Sequence, residues 1–301
     1  MKSGGICLLF VALACLGQAH AAENPDRNDL SGYLDNRGAV IMPYTLDPNG
    51  QMEIDAVLCP AREQCLGVPL QFDSGAPDNN INAALKERLS LKGDEKTIAK
   101  FYLGALPPVS AFPVSFSKEG MRGSYIGAGW IEKLGLWFNF GTREVYGKVP
   151  SGAVADYVKG SALKYRVIPL KSLDAYRYVT VSINGKKPVN FLIDTGAAVS
   201  LIDKDYAQSL SLGFNDRHCL TMGSQAGESK TCLTHDILSL KAEDEPLPAY
   251  LPKGFGYLDM SFVIPPLKIK GILGLDWLER TGAIMALAEN RLYVPVTDGS
   301  A

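Results

Sequence analysis

Residues 191–202 read Phe-Leu-Ile-Asp-Thr-Gly-Ala-Ala-Val-Ser-Leu-Ile, so an apolar strand leads directly into Asp194-Thr195-Gly196. A buried carboxylate without a partner is costly, and it seldom interrupts an apolar segment without a structural or chemical reason. The motif has a near copy in residues 70–81, which read Leu-Gln-Phe-Asp-Ser-Gly-Ala-Pro-Asp-Asn-Asn-Ile. Asp73-Ser74-Gly75-Ala76 therefore matches Asp194-Thr195-Gly196-Ala197, and each copy follows an apolar strand.

The match continues further along the chain. Residues 125–147 align without a gap with residues 272–294. The aligned pairs include Gly127 with Gly274, Trp130 with Trp277, Glu132 with Glu279, Gly135 with Gly282, and Tyr146 with Tyr293. Two matches in the same order predict an internal duplication. The segment between the Asp motif and the matched glycine is longer in the second copy, which predicts an insertion there.

The composition is that of a globular protein with mostly β structure. The 301 residues are 47% hydrophobic and 21% charged, and they include 30 Gly and 18 Pro. Many Gly and Pro residues between short apolar segments predict an all-β fold, mainly β with a few short helices, in a chain long enough for two domains. The net charge of −2 gives no electrostatic reason to expect binding to nucleic acid or to an anionic membrane.

The N-terminus is typical of an export signal. Lys2 supplies a positive charge, residues 6–16 are apolar, and Ala19-His20-Ala21 suits signal cleavage. We therefore expect residues 1–21 to be a signal peptide and the mature chain to be periplasmic or secreted, without stable insertion in a membrane. A retained helical anchor and a lipoprotein cut before Cys15 are the alternatives.

The cysteines suit an oxidising compartment. Two of the six, Cys7 and Cys15, belong to the predicted signal, and an even number remains. We expect disulfides within each half, Cys59 with Cys65 and Cys219 with Cys232, although free buried thiols are the alternative. The cysteine spacing and the two histidines of the mature chain, His218 and His235, argue against a zinc site. No cofactor or metal is expected.

The predicted organisation has two lobes joined by a linker. Residues 22–45 are expected to form a leader, 46–150 a divergent first lobe, 151–164 a linker, and 165–297 the second lobe. Asn184-Gly185 predicts a hairpin turn whose return strand delivers Asp194. Gly223, Ser224 and Gln225 lie between two alternating segments and are a candidate flap, with an ordinary surface loop as the alternative.

Two strand-ending aspartates suggest a joint chemical use. Carboxylates about 3 Å apart cannot both ionise, so Asp73 and Asp194 would share one proton and titrate as a pair. The charged carboxylate could activate a water molecule while the protonated one polarises a carbonyl group. Ser74, Gly75, Thr195, Gly196 and Ala197 would support the two turns. Alanine after each glycine cannot donate a hydroxyl hydrogen bond to the charged pair, so we expect activity at mildly acid to neutral pH.

Asp194-Thr195-Gly196-Ala197 together with Ile272-Leu273-Gly274 resembles the retropepsin-like aspartic proteases. The resemblance covers residues 165–297 well and residues 46–149 weakly, and the two lobes in one chain are similar to those of pepsins. It implies a bilobal acid-protease-like fold of two β-barrel lobes around a central cleft. It also implies that Asp73 and Asp194 form the catalytic dyad, that Ser74 and Thr195 interlock, and that the segment ending in Gly274 packs beneath the catalytic turn.

The leading prediction is a monomeric endopeptidase that acts on peptides or proteins through an Asp73/Asp194 dyad. In one alternative, Asp194 from two chains forms the site of a homodimer and the first half is accessory. In the other, the protein binds peptides or proteins without cleaving them. The first half keeps these alternatives open because residues 77–80, Pro-Asp-Asn-Asn, are more polar than their counterparts and because this half has no clear flap.

Overall fold

A computed structural model describes residues 29–61, 64–93, 95–117, 123–224, 227–261 and 263–296. The predicted signal peptide, residues 1–21, lies outside this range, as does Gln225 of the candidate flap. The described chain is mainly β and has two lobes, as the sequence predicted. The strands are β1 Val40–Pro43, β2 Thr45–Leu46, β3 Met52–Cys59, β4 Leu66–Asp73, β5 Asn80–Ile81, β6 Thr97–Leu103, β7 Val109–Pro113, β8 Ser115–Phe116, β9 Tyr125–Gly127, β10 Trp137–Asn139, β11 Glu144–Gly147, β12 Tyr165–Pro169, β13 Lys171–Leu173, β14 Tyr176–Ile183, β15 Val189–Ile193, β16 Leu201–Asp203, β17 Asn215–Ser224, β18 Gly227–Thr234, β19 Leu240–Ala242, β20 Glu245–Leu247, β21 Phe255–Leu258, β22 Ile269–Leu273, β23 Ile284–Ala286 and β24 Arg291–Pro295. The helices are α1 Leu30–Asp35, α2 Ala83–Arg88, α3 Ala128–Lys133, α4 Ala153–Gly160, α5 Lys204–Ser209 and α6 Leu275–Thr281, with a 3₁₀ turn at Pro265–Leu267.

Each lobe is built on its own sheet. The first-lobe sheet has the order β7-β6-β3-β4-β9-β5-β8, with β2 beside β3. The second-lobe sheet has the order β17-β18-β21-β16-β22-β15-β14-β19-β20, with β13 beside β14. In both, the strand that leads to the Asp motif pairs in parallel with the strand that ends at the matched glycine, β4 with β9 and β15 with β22.

A third sheet joins the lobes. Its order is β1-β11-β10-β23-β24-β12, so the first half supplies three neighbouring strands and the second half the other three. The two halves meet where β10 pairs antiparallel with β23, and Phe138 lies opposite Met285. Both of these side chains are fully buried, which places part of the hydrophobic core between the lobes. The relative position of the two lobes is therefore set by backbone pairing as well as by side-chain packing.

Two segments outside the predicted lobes take part in the fold. The predicted linker, residues 151–164, contains α4, whose Val154 and Tyr157 are buried against Leu34 of α1 and Trp137 of β10. The predicted leader, residues 22–45, contains α1 and β1, and β1 is an edge strand of the joining sheet. The sequence did not predict this helix, because only one turn of α4 presents apolar side chains to the core and a single turn gives no helical periodicity.

The insertion predicted in the second copy corresponds to one hairpin. Strands β17 and β18 pair antiparallel between α5 and β19. In the first lobe, α2 is followed by β6, which pairs with β3 as β19 pairs with β14. The β17–β18 hairpin therefore has no counterpart among the described residues of the first lobe.

Both disulfides form as predicted. Cys59 bonds to Cys65 where β3 turns back into β4, and Cys219 bonds to Cys232 across the β17–β18 hairpin. No helix of the described residues is long and apolar enough to cross a membrane.

Candidate active site

Parallel strand pairs place the two Asp motifs. Asp73 ends β4 opposite Gly127 of β9, and Asp194 follows β15 with its N–H donating to the carbonyl oxygen of Leu273, 3.1 Å away. Phe72 and Ile193, the residues before the two aspartates, are fully buried. Burial of these two residues anchors the end of each strand in the core, just before the turn begins. The carboxylates therefore project from the ends of rigid strands.

The two turns interlock through reciprocal hydrogen bonds between the lobes. The Ser74 hydroxyl donates to the carbonyl oxygen of Ile193 and accepts from the N–H of Thr195, both at 3.0 Å. The Thr195 hydroxyl donates to the carbonyl oxygen of Phe72 at 2.8 Å and accepts from the N–H of Ser74 at 3.0 Å. Both hydroxyls are buried, so four backbone groups are satisfied only while the lobes stay together.

Each motif glycine lies against the aspartate of the other lobe. A methyl group added to Gly75 would lie 2.5 Å from Cγ of Asp194, and one added to Gly196 would lie 2.6 Å from Cγ of Asp73. The N–H of Gly75 donates to Asp73 at 2.9 Å, and that of Gly196 donates to Asp194 at 2.8 Å. The absence of a side chain at both positions therefore lets the carboxylates approach across the interface.

The two carboxyl groups form one coupled acid. Burial, and then the charge of Asp194, raise the pKa of Asp73 well above its usual range, against backbone N–H groups of Gly75 and Ala76. Burial also raises the pKa of Asp194, which is opposed by N–H groups of Gly196, Ala197 and Gly75 and by a hydrogen bond with Asp73. Asp194 thus receives more stabilisation of its charged form than Asp73 does, and the two carboxyl groups titrate as a pair.

Matched segments support the turns from beneath. The N–H of Ala128 donates to the carbonyl oxygen of Ala76 at 2.7 Å, and that of Leu275 donates to Ala197 at 2.8 Å. A methyl group added at Gly127 would lie 2.3 Å from a backbone oxygen of this turn, and one at Gly274 would lie 2.6 Å from another. The segment ending in Gly274 therefore packs beneath its turn as the resemblance implied, and the first lobe repeats the arrangement.

A polar side chain six positions after each aspartate completes this support. Ser200 accepts from the N–H of Gly274 at 3.0 Å, and Asn79 accepts from the N–H of Gly127 at the same distance. Asn79 also donates to the carbonyl oxygen of Pro113 at 2.9 Å. Asn79, one of the polar residues that distinguish the first copy, thus accepts the same kind of backbone hydrogen bond as Ser200, with an amide oxygen in place of a hydroxyl. Asp78, beside it, is exposed.

Ser200 is tied to a further carboxylate in the second lobe. Its hydroxyl donates to Asp276 at 2.7 Å, and the second oxygen of Asp276 is buried without a hydrogen-bond partner. Burial raises the pKa of Asp276, against hydrogen bonds from Ser200 and the N–H of Trp277. Asp276 borders a cavity of about 400 Å³ between the lobes, which is also lined by Phe140, Gly141, Arg143, Pro252, Lys253, Glu279 and Arg280.

Two residues at equivalent strand positions reach toward the opposite lobe, and the sequence did not reveal them. Gln51 donates from Nε2 to the carbonyl oxygen of Gly196 at 3.0 Å. Tyr176 holds the matching position in the second lobe, because it lies two residues before Tyr178 as Gln51 lies two residues before Glu53. Burial and then the charges of Asp73, Asp78 and Asp174 raise the pKa of Tyr176. Their shared register relative to the two Asp motifs was the signal that could have identified them.

The candidate flap is only partly described. Gly223 and Ser224 are the last residues of β17, and Gln225 lies outside the described residues. At the base of the hairpin, Leu220 packs with a buried cluster of the second lobe that includes Leu192 and Leu201. The hairpin therefore stands on the same sheet that delivers Asp194. Within the described residues, no group of three or more His, Cys, Asp or Glu side chains is placed to hold a metal ion.

Two β lobes that meet at paired Asp-(Ser/Thr)-Gly turns define the fold class of the aspartic proteases. Comparison with known proteins agrees: residues 179–277 match the family model described as aspartyl protease. The crystal structure of an aspartic proteinase from Irpex lacteus superposes with a TM-score of 0.52 over 86% of this chain and 98% of that chain, at 14% sequence identity. No curated protein matches the sequence. The predicted family resemblance is thus confirmed by the second lobe, and the bilobal fold by the chain as a whole.

Proposed function

We propose that the protein is an aspartic endopeptidase whose catalytic dyad is Asp73 and Asp194 of a single chain. The observation that carries this proposal is the reciprocal interlock of Ser74 and Thr195, because it brings the two carboxylates against each other's glycines. The match of residues 179–277 to aspartyl proteases supports peptide-bond hydrolysis as the reaction. The substrate class is accordingly a peptide or protein.

The reaction needs only the two carboxyl groups and water. The ionised carboxylate takes a proton from a water molecule while the water oxygen attacks the carbonyl carbon of the peptide bond. The protonated carboxyl group donates its proton to the carbonyl oxygen, which gives a neutral tetrahedral diol. Return of one diol proton to the dyad and protonation of the nitrogen by the other carboxyl group then break the C–N bond. The dyad ends with one proton, as it began.

A site within one chain explains the geometry better than a homodimer through Asp194. The carboxyl group of Asp73 already lies against the Cα of Gly196, on the side where a side chain would project. The Thr195 hydroxyl already bonds to the backbone of Phe72 and Ser74. A second copy of the Asp194 turn would have to displace the first lobe. The joining sheet opposes this displacement, because β10 and β23 hold the lobes together. We therefore propose a monomer.

The pH range of activity follows from the raised pKa values of the pair. One carboxyl group must be ionised and the other protonated, so activity lies between the two macroscopic pKa values of the dyad. Burial raises both, which moves this window upward from strong acid. The two disulfides are consistent with work in an oxidising compartment, so we propose that the mature protein is exported.

The test is digestion of a peptide library by the mature protein and by the Asp73→Asn and Asp194→Asn variants across pH 3 to 8, with and without pepstatin. We expect cleavage by the wild type, inhibition by pepstatin, and a loss of at least about 10³-fold in kcat/KM for both variants, since each removes one half of the acid–base pair. Thermal melting checks that the variants fold.

Other outcomes point to the alternatives. Full activity of the Asp73→Asn variant would contradict the single-chain dyad and favour a homodimer built from Asp194. A folded wild type that cleaves no peptide at any pH, yet retains library peptides on a column, would favour a peptide-binding role. Sedimentation at the assay concentration separates monomer from dimer in the same samples.

A further inference from the structure

Gln51 links the first lobe to the turn that carries Asp194. Its Nε2 donates to the carbonyl oxygen of Gly196 at 3.0 Å, and its Oε1 accepts from Nε2 of Gln71 at 2.7 Å. The backbone N–H of Gln51 donates to Asp47 at 2.8 Å, which anchors the residue at the start of β3. Both ends of the side-chain amide are therefore bonded, and its orientation is held by Gln71.

The carbonyl group that Gln51 contacts belongs to the peptide unit whose other end faces Asp194. The carbonyl of Gly196 and the N–H of Ala197 are the two ends of one peptide group. That N–H donates to the backbone carbonyl oxygen of Asp194 at 3.3 Å, and it also favours the charged form of the Asp194 carboxyl group, opposing the rise in pKa that burial causes. A hydrogen bond accepted at a carbonyl oxygen polarises the peptide and strengthens the bond donated by its N–H. The Gln51 amide thus acts on Asp194 through a single peptide unit.

The first-lobe turn lacks this contact. Gly75 is the counterpart of Gly196, and within the described residues no side chain donates to its carbonyl oxygen. The residue at the register of Gln51 in the second lobe is Tyr176, and the counterpart of Gln71 is Leu192, which cannot donate a hydrogen bond. The two turns are alike in backbone but unlike in this support.

We propose that Gln51 is a positioning residue that places the negative charge of the dyad on Asp194, by polarising the Gly196–Ala197 peptide group. Asp73 then holds the shared proton. The charge assignment concerns the two carboxyl groups themselves, whereas its catalytic consequence rests on the function proposed above: Asp194 is the general base toward water and Asp73 the acid toward the carbonyl oxygen.

Few other titratable groups face the pair. Tyr176 at the start of β14 lies near enough to Asp73 for the two to interact electrostatically, and Asp78 and Asp174 act on the same tyrosine. Glu53 of β3 lies opposite Gln71, and its pKa is raised by burial and then by Asp47 and Asp55. Tyr176 is uncharged in the mildly acid range, and Glu53 is common to every variant below, so neither accounts for a difference between variants.

The test reads the charges without relying on activity. Protein labelled with ¹³C at the aspartate carboxyl carbons is titrated by NMR as wild type, Gln51→Leu and Thr45→Ala, with Asp73→Asn and Asp194→Asn used to assign the two signals. In the wild type, the Asp194 carbon is expected to respond at the lower pH step. In Gln51→Leu, that step is expected to move upward by about 0.2 to 0.6 pH units, because a charge-assisted hydrogen bond loses roughly 10–30% of its strength. Thr45 is exposed on the same hairpin, and its variant should titrate as the wild type does.

Two further variants sharpen the test. Gln71→Leu removes the group that orients Gln51, so the lower titration step of the Asp194 carbon should move upward in this variant too, by less than in Gln51→Leu. Gln51→Glu has nearly the same shape, but its ionised form cannot donate and adds a negative charge, so its step should move further than that of Gln51→Leu. If Gln51→Leu and Gln51→Glu both titrate as the wild type does, the proposal is overturned.

Kinetics separates this proposal from the proposed function. The acid limb of the kcat/KM profile should move upward in Gln51→Leu by the same amount as the NMR step, with the alkaline limb little changed. A moved NMR step in a protein that cleaves no peptide would keep the charge assignment and overturn the peptidase. If Gln51→Leu cleaves peptides but its NMR titration steps equal those of the wild type, the charge assignment is overturned and the peptidase is kept.

Discussion

The turn at Asp73 and the turn at Asp194 have the same backbone frame but different side-chain supports. In both, a parallel strand delivers the carboxylate, a glycine faces the opposite aspartate, and a backbone N–H from the following helix closes the turn from beneath. The second turn adds the carboxylate of Asp276 below and the amide of Gln51 beside it. In the first turn, Asn79 takes the place of Ser200, Gly129 stands where the second turn has Asp276, and Tyr176 stands where the second turn has Gln51.

This difference shows which parts of the two turns need to be alike. The interlock requires both hydroxyls and both glycines, because each lobe satisfies backbone groups of the other, and these are the residues the two copies share. The supports can diverge because each of them acts on one turn only. Divergence among them makes the surroundings of the two carboxyl groups unequal, as the proposed roles of general acid and general base require.

The largest effect is expected where a side chain would collide with backbone. Gly127→Ala and Gly274→Ala should each destabilise the fold by about 3 kcal/mol or more, because the added methyl groups would lie 2.3 and 2.6 Å from backbone oxygen atoms that cannot move freely. Urea unfolding of both variants measures this. Gly67→Ala on β4 is the control, since no atom lies within 4 Å of the added methyl group. Tolerance of Gly127→Ala alone would mean that the first turn is the looser of the two.

The disulfides differ between the lobes in what they hold. Replacing Cys219 and Cys232 by serine should cost about 3 kcal/mol, and replacing Cys59 and Cys65 about 2 kcal/mol, because the sequence separations are 13 and 6 residues and the longer loop gains more freedom when unfolded. The Cys219–Cys232 bond closes the β17–β18 hairpin, which has no counterpart among the described residues of the first lobe, and the Cys59–Cys65 bond holds the start of the strand that delivers Asp73. Thermal melting measures the loss of stability, and peptide cleavage measured in parallel should show an altered KM when Cys219 and Cys232 are replaced. A change confined to stability in both pairs would argue against a role for the hairpin in substrate binding.

The interlock predicts nearly equal effects from the two lobes. Ser74→Ala and Thr195→Val each leave one buried carbonyl and one buried N–H of the opposite lobe unsatisfied, so each should cost about 2 kcal/mol in the free energy of unfolding and lower kcat. Ser110→Ala, at an exposed position of β7, is the matched control. A cost for Thr195→Val that is several times that for Ser74→Ala would show that the first lobe contributes little to holding the dyad.

The sequence predicted the shared frame of the site and missed its supports, for a physical reason. The Asp motifs, the glycines and the following helices are local patterns that recur in both copies, so a comparison of the chain with itself reveals them. Gln51 and Tyr176 act across the interface, and their equivalence exists only in the strand register. Asn79 looked like a departure because it is an amide where the second copy has the hydroxyl of Ser200, although the two side chains accept from equivalent backbone N–H groups, those of Gly127 and Gly274.

The helix α4 within the predicted linker was missed for a related reason. Residues 151–164 are rich in small residues, and nothing local shows that Val154 and Tyr157 meet α1. The burial that makes α4 a helix comes from a segment more than one hundred residues earlier in the chain. Patterns within one strand or helix therefore identified the elements that deliver the aspartates, whereas contacts between distant segments remained invisible until the fold was known.

The smallest expected effect concerns Asp276, which has Gly129 as its counterpart in the first lobe. Burial raises the pKa of Asp276 in the folded protein above that of the unfolded chain, so its contribution to stability is fully present below the unfolded pKa and is lost as the pH rises through the folded pKa. Asp276→Asn keeps an oxygen that can accept from Ser200 and carries no charge. We therefore expect the variant to match the wild type at pH 3 and to be more stable by about 1 kcal/mol at pH 7. Urea unfolding at both pH values measures this, with Asp205→Asn on α5 as the control. A variant that is less stable than the wild type at pH 7 would show that the ionised Asp276 is held by the cations of the adjoining cavity, Arg143, Lys253 and Arg280, and that the second turn rests on charge rather than on a neutral hydrogen bond.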